Sequence, residues 1–178
     1  ADDCSGDFRC APDGVCRRAC SAGTDCGDGE SCTDAVCLPP GVVALLQELS
    51  TRTYVSLELG VQSFEDPTLE WLDRGHDSEA SKDALRRLRL EAPGVHVGVH
   101  LIFGSPTDPR DNPERAADEI NRSGAHGVKL HQLMVLERTE LARRWREEGS
   151  FPVLSLEAYS EQVGRFLSRL DPAIYVER

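Results

Sequence analysis

Three segments of the chain repeat one pattern, and it restricts the fold more than any other feature. In "VSLELGVQSF" (55–64), Val55, Leu57, Leu59 and Val61 alternate with Ser56, Glu58, Gly60 and Gln62. A strand sends successive side chains to opposite faces, so one face is apolar and the other polar. In "VHVGVHLI" (95–102), Val95, Val97, Val99 and Leu101 oppose His96, Gly98 and His100. In "GVKLHQL" (127–133), Val128 and Leu130 oppose Lys129 and His131. Strand signals are expected at 53–61, 95–102, 127–133 and 174–177.

Helical patterns fill the gaps. "GVVALLQEL" (41–49) is apolar enough for a helix leading into the first strand. Asp66-Pro67 and Asn112-Pro113 read as N-caps followed by a first-turn proline, with Glu70 and Glu114 close behind. "SKDALRRLRL" (81–90) is amphipathic and stops before Pro93-Gly94. "TELARRWREEG" (139–149) ends at a glycine, and "SLEAYSEQVGRFLSRL" (155–170) starts at a serine cap. Alternating strands and helices imply parallel pairing with right-handed crossovers.

The polar face decides between two α/β designs. A doubly wound sheet is covered on both sides and wants both faces apolar. A helix-wrapped barrel needs an apolar outside, and its inside turns polar where it holds a ligand. Glu58, Gln62, His96, His100, Lys129 and His131 would line such an interior, and Gly60 and Gly98 would leave room for a ligand against the strands. The bland alternative is a half-solvated sheet whose polar residues satisfy one another.

Other motifs add less. His96 and His100 share a strand face but lie roughly 13 Å apart along it, too far to chelate one ion. "LIFGSP" (101–106) ends a strand in a Gly/Pro loop at the carboxyl edge, where barrel ligands bind. "DRGHD" (73–77) joins two helices and offers Arg74 and His76, which the bland reading makes an exposed helix end. The sequence has no G-x-S-x-G, Walker loop or Rossmann G-x-G-x-x-G.

The 178 residues suffice for one ordinary domain with a real core. A net charge of −11 argues against a nucleic-acid or anionic-membrane binder, and no basic patch is evident. No apolar run approaches the roughly 20 residues of a membrane span. The chain starts "ADDCSG" without methionine, which reads as a processing site or the edge of a fragment.

All seven cysteines fall at positions 4, 10, 16, 20, 26, 32 and 37, which places a boundary near Cys37–Pro40. "CSAGTDCGDGESCTDAVC" repeats the plan of "DDCSGDFRCAPDGVC", and the residues between are mostly small and polar. Such a segment cannot bury enough apolar surface to fold unaided. A disulfide framework of undetermined connectivity is expected for residues 1–37, similar to cysteine-rich repeats of secreted bacterial surface proteins. Metal or cluster ligation and a disordered, reduced tail are the alternatives, and no Cys-x2-Cys pair is present to favour ligation.

Taken in order, "LELGVQSFEDPTLEWLDRGHD", "GVHLIFGSP", "GVKLHQLMVLERTELARRW" and "LSLEAYSEQVGRFLSRL" resemble the second half of a radical S-adenosylmethionine (radical SAM) enzyme. The likeness is to an uncharacterised bacterial subgroup related to Elp3-type and oxygen-independent coproporphyrinogen oxidase cores, over roughly 38–178. It implies an incomplete parallel (β/α) half-barrel, a [4Fe–4S] cluster and SAM, with reductive cleavage of SAM to a 5′-deoxyadenosyl radical that abstracts hydrogen from an unknown substrate. It also implies that Gln62 and Arg74 contact SAM and that His100 stands at a SAM-contacting position. Glu58, on the same face, is the candidate for ribose or methionine contacts.

The sequence departs from the family in two places. The three-cysteine cluster motif is missing, with the cysteine-rich head where the first βα units would stand, so activity is expected to be impaired. The usual Gly-Glu after the loop proline is Thr107-Asp108. A truncated barrel exposes strand edges and apolar surface, so self-association or poor stability is expected. The rival readings are a secreted, disulfide-stapled surface protein using the half-barrel as scaffold, and an ordinary α/β-barrel enzyme without a cluster. Localisation stays open, because the body resembles cytoplasmic enzymes and the head secreted proteins.

Overall fold

The computed structural model describes residues 40–147 and 151–177, together with the backbone of four short strands before them. These are β1 (Phe8–Cys10), β2 (Cys16–Arg18), β3 (Ser31–Thr33) and β4 (Val36–Leu38). β1 pairs antiparallel with β2, and β3 with β4. The disulfides expected in residues 1–37 depend on side chains outside the described residues.

From Pro40 the order is α1 (Pro40–Ser50), β5 (Ser56–Gln62), α2 (Asp66–Trp71), α3 (Ser78–Glu91), β6 (His96–Phe103), α4 (Asn112–Ser123), β7 (Gly127–Gln132), α5 (Glu140–Glu147), α6 (Leu156–Arg169) and β8 (Tyr175–Glu177). β5, β6, β7 and β8 form one parallel sheet in that order, so each strand pairs with the next in sequence. Sequential parallel neighbours joined by helices are the arrangement of a partial (β/α) barrel, as the alternation of elements predicts.

One face of the sheet carries the core. Leu59, Val61, Val97, Val99, Leu101, Phe103 and Val128 are buried against Leu85 and Leu88 of α3, Ala116, Ala117 and Ile120 of α4, and Phe166 of α6. Phe103 meets Phe166 edge-on at 5.6 Å between ring centroids. Each such aromatic or aliphatic side chain contributes about 1.5–3 kcal/mol by leaving water. The helices thus cover the apolar face that the alternation marks.

Local signals place the helix starts, with two shifts. Asp77 caps α3 by accepting from the Ala80 N–H at 2.8 Å, and Ser155 caps α6 by accepting from Ala158. The caps of α2 and α4 are Glu65 and Asp111, one residue earlier than expected, and neither uses its side chain. The Asp66 carboxylate is instead an acceptor for the Ser78 N–H at 2.8 Å, tying the start of α2 to the start of α3. No helix among the described residues is long and apolar enough to cross a membrane.

Candidate functional site

The opposite face of the sheet is polar across all four strands. In the ladder Glu58 pairs with Gly98, Gly98 with Gly127, and His100 with Lys129, which in turn pairs with Glu177. Parallel strands in register send paired residues to the same side, so these side chains converge. Lys129 Nζ donates to both Glu58 oxygens at 3.0 Å and lies 3.6 Å from Glu177 Oε2. His100 Nε2 is 2.7 Å from Glu58 Oε2.

The charges explain the protonation states. Hydrogen bonds from Lys129 and then His100 hold the Glu58 carboxyl below its ordinary value, and Glu58 raises the Lys129 ammonium. Burial first, then His100 and Lys129, push His131 down. The His100 and His131 rings lie 5.3 Å apart. Near neutral pH the face therefore presents the Glu58 carboxylate bound to the Lys129 ammonium, with His131 biased to its neutral form.

Glycines keep the floor of this face low. A Cβ on Gly98 would sit 3.3 Å from Glu177 Oε1 and 3.6 Å from Glu58 Cγ. One on Gly127 would press to 2.7 Å from the Tyr175 ring. At the N-terminal ends of the strands, Tyr175 stacks on His96 at 5.0 Å and its hydroxyl is hydrogen-bonded to that ring. His126 accepts the Val97 N–H on Nδ1 at 3.1 Å, which puts its ring proton on Nε2.

Gln62 and Arg74 meet at the other end of β5. Leu59 pairs with Val99 and Gln62 with Leu101, three steps against two, so a bulge interrupts the alternation. Gln62 has φ 66°, and Ser63 N–H donates to the Val61 carbonyl at 2.8 Å, closing a three-residue turn around it. That γ-turn with positive φ is the rarer, strained form. Its outcome is that the Gln62 amide lies over Gly60, where a Cβ would be 2.7 Å from Nε2. The Arg74 guanidinium arrives at the same spot, with Nη2 3.6 Å from that Cβ position and donating to the Gly60 carbonyl at 3.2 Å. Arg74 and His76 are half-buried and buried respectively, so "DRGHD" is not an exposed helix end.

Of the four residues expected at a site, Glu58 and His100 are in direct contact, and Gln62 and Arg74 converge over Gly60. Lys129 and Glu177 join them. Lys129 stood among the lumen residues in the alternation pattern. Glu177 was missed, although Tyr175, Val176 and Glu177 repeat the same polar–apolar–polar order. Among the described residues no group of three or more His, Cys, Asp or Glu side chains is arranged to hold a metal ion.

Residues 125–178 match the model of the radical SAM C-terminal domain. The chain is 32% identical over 142 residues to the uncharacterised protein YtqA of Bacillus subtilis, covering 80% of this chain and 43% of that protein. It is 31% identical over 143 residues to protein YhcC of Escherichia coli K12, covering 80% of this chain and 45% of that one. The solved structure of Elp3 from the archaeon Methanocaldococcus infernus superposes with a TM-score of 0.64 at 26% identity, over 75% of this chain and 31% of that one. The chain spans less than half the length of the curated relatives it matches.

Proposed function

Because the chain belongs to the radical SAM superfamily, we propose that residues 40–177 form the SAM-binding half of a radical SAM core. SAM offers a carboxylate, an α-amino group, a sulfonium and two ribose hydroxyls. The Arg74 guanidinium and the Gln62 amide are donors suited to the carboxylate. Glu58 is an acceptor for ribose hydroxyls or the amino group, and His100 is held beside it by their 2.7 Å bond. The observation that carries this reading is the convergence of Gln62 and Arg74 over a glycine that leaves them room.

A [4Fe–4S] cluster does not fit residues 40–177. All seven cysteines precede Pro40, so this region supplies no thiolate. Residues 40–177 are thus suited to binding SAM and not to holding the cluster.

Titration calorimetry with SAM tests it. The chain is expected to bind SAM saturably, and Arg74→Ala and Gln62→Ala each to weaken binding about tenfold or more, the value of one hydrogen bond to a charged group. Absence of binding, or variants that bind like the parent, would overturn it.

The same reading divides the chain at Cys37–Pro40 into a cysteine-rich repeat segment, 1–37, and the half-barrel, 38–178. Limited proteolysis should cut at that boundary first; a first cut inside 56–132 would contradict it. The reading also includes self-association. β5 and β8 end the four-stranded sheet, and Val176 on β8 is 49% exposed. Sedimentation velocity should show a concentration-dependent dimer, and a monomer at every concentration would remove this part.

A further inference from the structure

We infer that Asp108 and Thr68 form a latch that positions Arg74, by tying the loop after β6 to α2. The inference rests on the SAM-site reading for what Arg74 does, and on geometry for how it is held. Asp108 Oδ2 accepts the Gly104 N–H at 3.2 Å and the Ser105 N–H at 3.0 Å. Asp108 Oδ1 accepts the Thr68 hydroxyl at 2.8 Å. Thr107 Oγ1 lies 3.2 Å from Thr68 Oγ1 and 2.8 Å from Ser105 Oγ, which closes the cluster.

Thr68 is fully buried in α2. The next residue, Leu69, accepts the backbone N–H of Arg74 at 2.9 Å, and Arg74 Nη2 reaches the Gly60 carbonyl. One chain of bonds therefore runs from the end of β6, through Asp108, Thr68 and Arg74, to β5. A helix of only six residues has little stability of its own, so its tethers set its position. Burial raises the Asp108 carboxyl above its ordinary value despite these donors. Its ionised form thus costs stability, the pattern of a residue kept for placement of other groups.

The geometry also supplies a control. Asparagine at 108 can accept from Gly104 and Ser105 with its oxygen and donate to Thr68 Oγ1 with its NH2, so it keeps the tie to α2 with one acceptor fewer for the Asn112 side chain, which also bonds Asp108. Valine at 68 fills the same space without the hydroxyl, and serine restores it.

The test is SAM affinity of the 178-residue chain together with the NMR signal of the Arg74 side-chain Nε–H. Thr68→Val and Asp108→Ala are expected to weaken SAM about tenfold, while Thr68→Ser and Asp108→Asn stay within about twofold of the parent. Thr68→Val combined with Arg74→Ala should bind no more weakly than Arg74→Ala alone, because both act through one group. The Arg74 Nε–H should exchange slowly in the parent, quickly in Thr68→Val, and slowly again in Thr68→Ser. A Thr68→Val chain that binds SAM like the parent, or an additive double variant, would overturn the inference. If the parent binds no SAM, the function reading fails by itself. The exchange rates then decide the latch, and unchanged Arg74 exchange in Thr68→Val overturns it.

Discussion

Gly60→Ala separates the site from the fold. The added methyl would lie 2.7 Å from Gln62 Nε2 and 3.6 Å from Arg74 Nη2. The first contact is impossible as it stands, but it is with the far end of a flexible side chain, so Gln62 can swing away. Gly60 has no positive φ, so alanine is allowed there and narrows the unfolded ensemble by about 0.4–1 kcal/mol in favour of folding. The net change in stability is therefore expected within about 1 kcal/mol, a Tm shift of a few degrees for a domain of this size. The ligand site fares differently. Displacing the Gln62 amide and crowding Arg74 removes at least one hydrogen bond to a charged group, about 1.5–3 kcal/mol, or roughly 10- to 150-fold in Kd. Calorimetry with SAM and thermal unfolding on the same preparation read both quantities. Unchanged SAM affinity, or a collapse in Tm showing that the methyl meets rigid structure, would refute the reasoning.

Three further outcomes follow. Gln62→Gly relieves a positive φ that costs a non-glycine residue about 1–2 kcal/mol, more than the roughly 0.4–1 kcal/mol that glycine gives the unfolded chain, so its denaturation midpoint should rise slightly while SAM affinity falls; a lower midpoint would show that the turn around Gln62 stores less strain than glycine costs. Because Glu58 titrates below its ordinary value of 4.5 in the folded chain, its contribution to stability is present above that value and is lost as pH falls through the lower folded value. Urea midpoints measured between pH 7 and pH 3 should thus drop less in Glu58→Gln than in the parent, and equal drops would count against the Lys129–Glu58–His100 cluster. Phe103→Ala opens a cavity against Phe166 at the centre of the core and should cost about 3–5 kcal/mol, enough to leave much of the chain unfolded by circular dichroism; a loss under 1 kcal/mol would place the core elsewhere.

The sheet was legible in the sequence because alternation survives wherever one face packs on helices. Val97, Val99 and Leu101 alternate with Gly98 and His100 through β6, and the strand forms where that pattern stands. The polar face was legible for the same reason. The bulge in β5 was not: the letters alternate through Gln62, but the ladder slips after Leu59. A glycine followed by an apolar residue reads as one more step of a strand, and only pairing with β6 reveals the extra residue. The cap of α2 was misplaced because Asp66 is engaged by Ser78, twelve residues away, and that of α4 because the Asn112 side chain is hydrogen-bonded to Asp108; a local helix-start pattern shows neither partner. Glu177 escaped because a three-residue strand offers too few alternations to read.

SAM bound on the polar, glycine-floored face, as proposed, has a direct signature. SAM titrated into 15N-labelled chain should shift the backbone amides of Gly60, Gln62, Gly98 and Gly127 and the side chains of Arg74 and Gln62, and should leave α3 and α4 unmoved. Shifts confined to the helical side, or no shifts at saturating SAM, would contradict it.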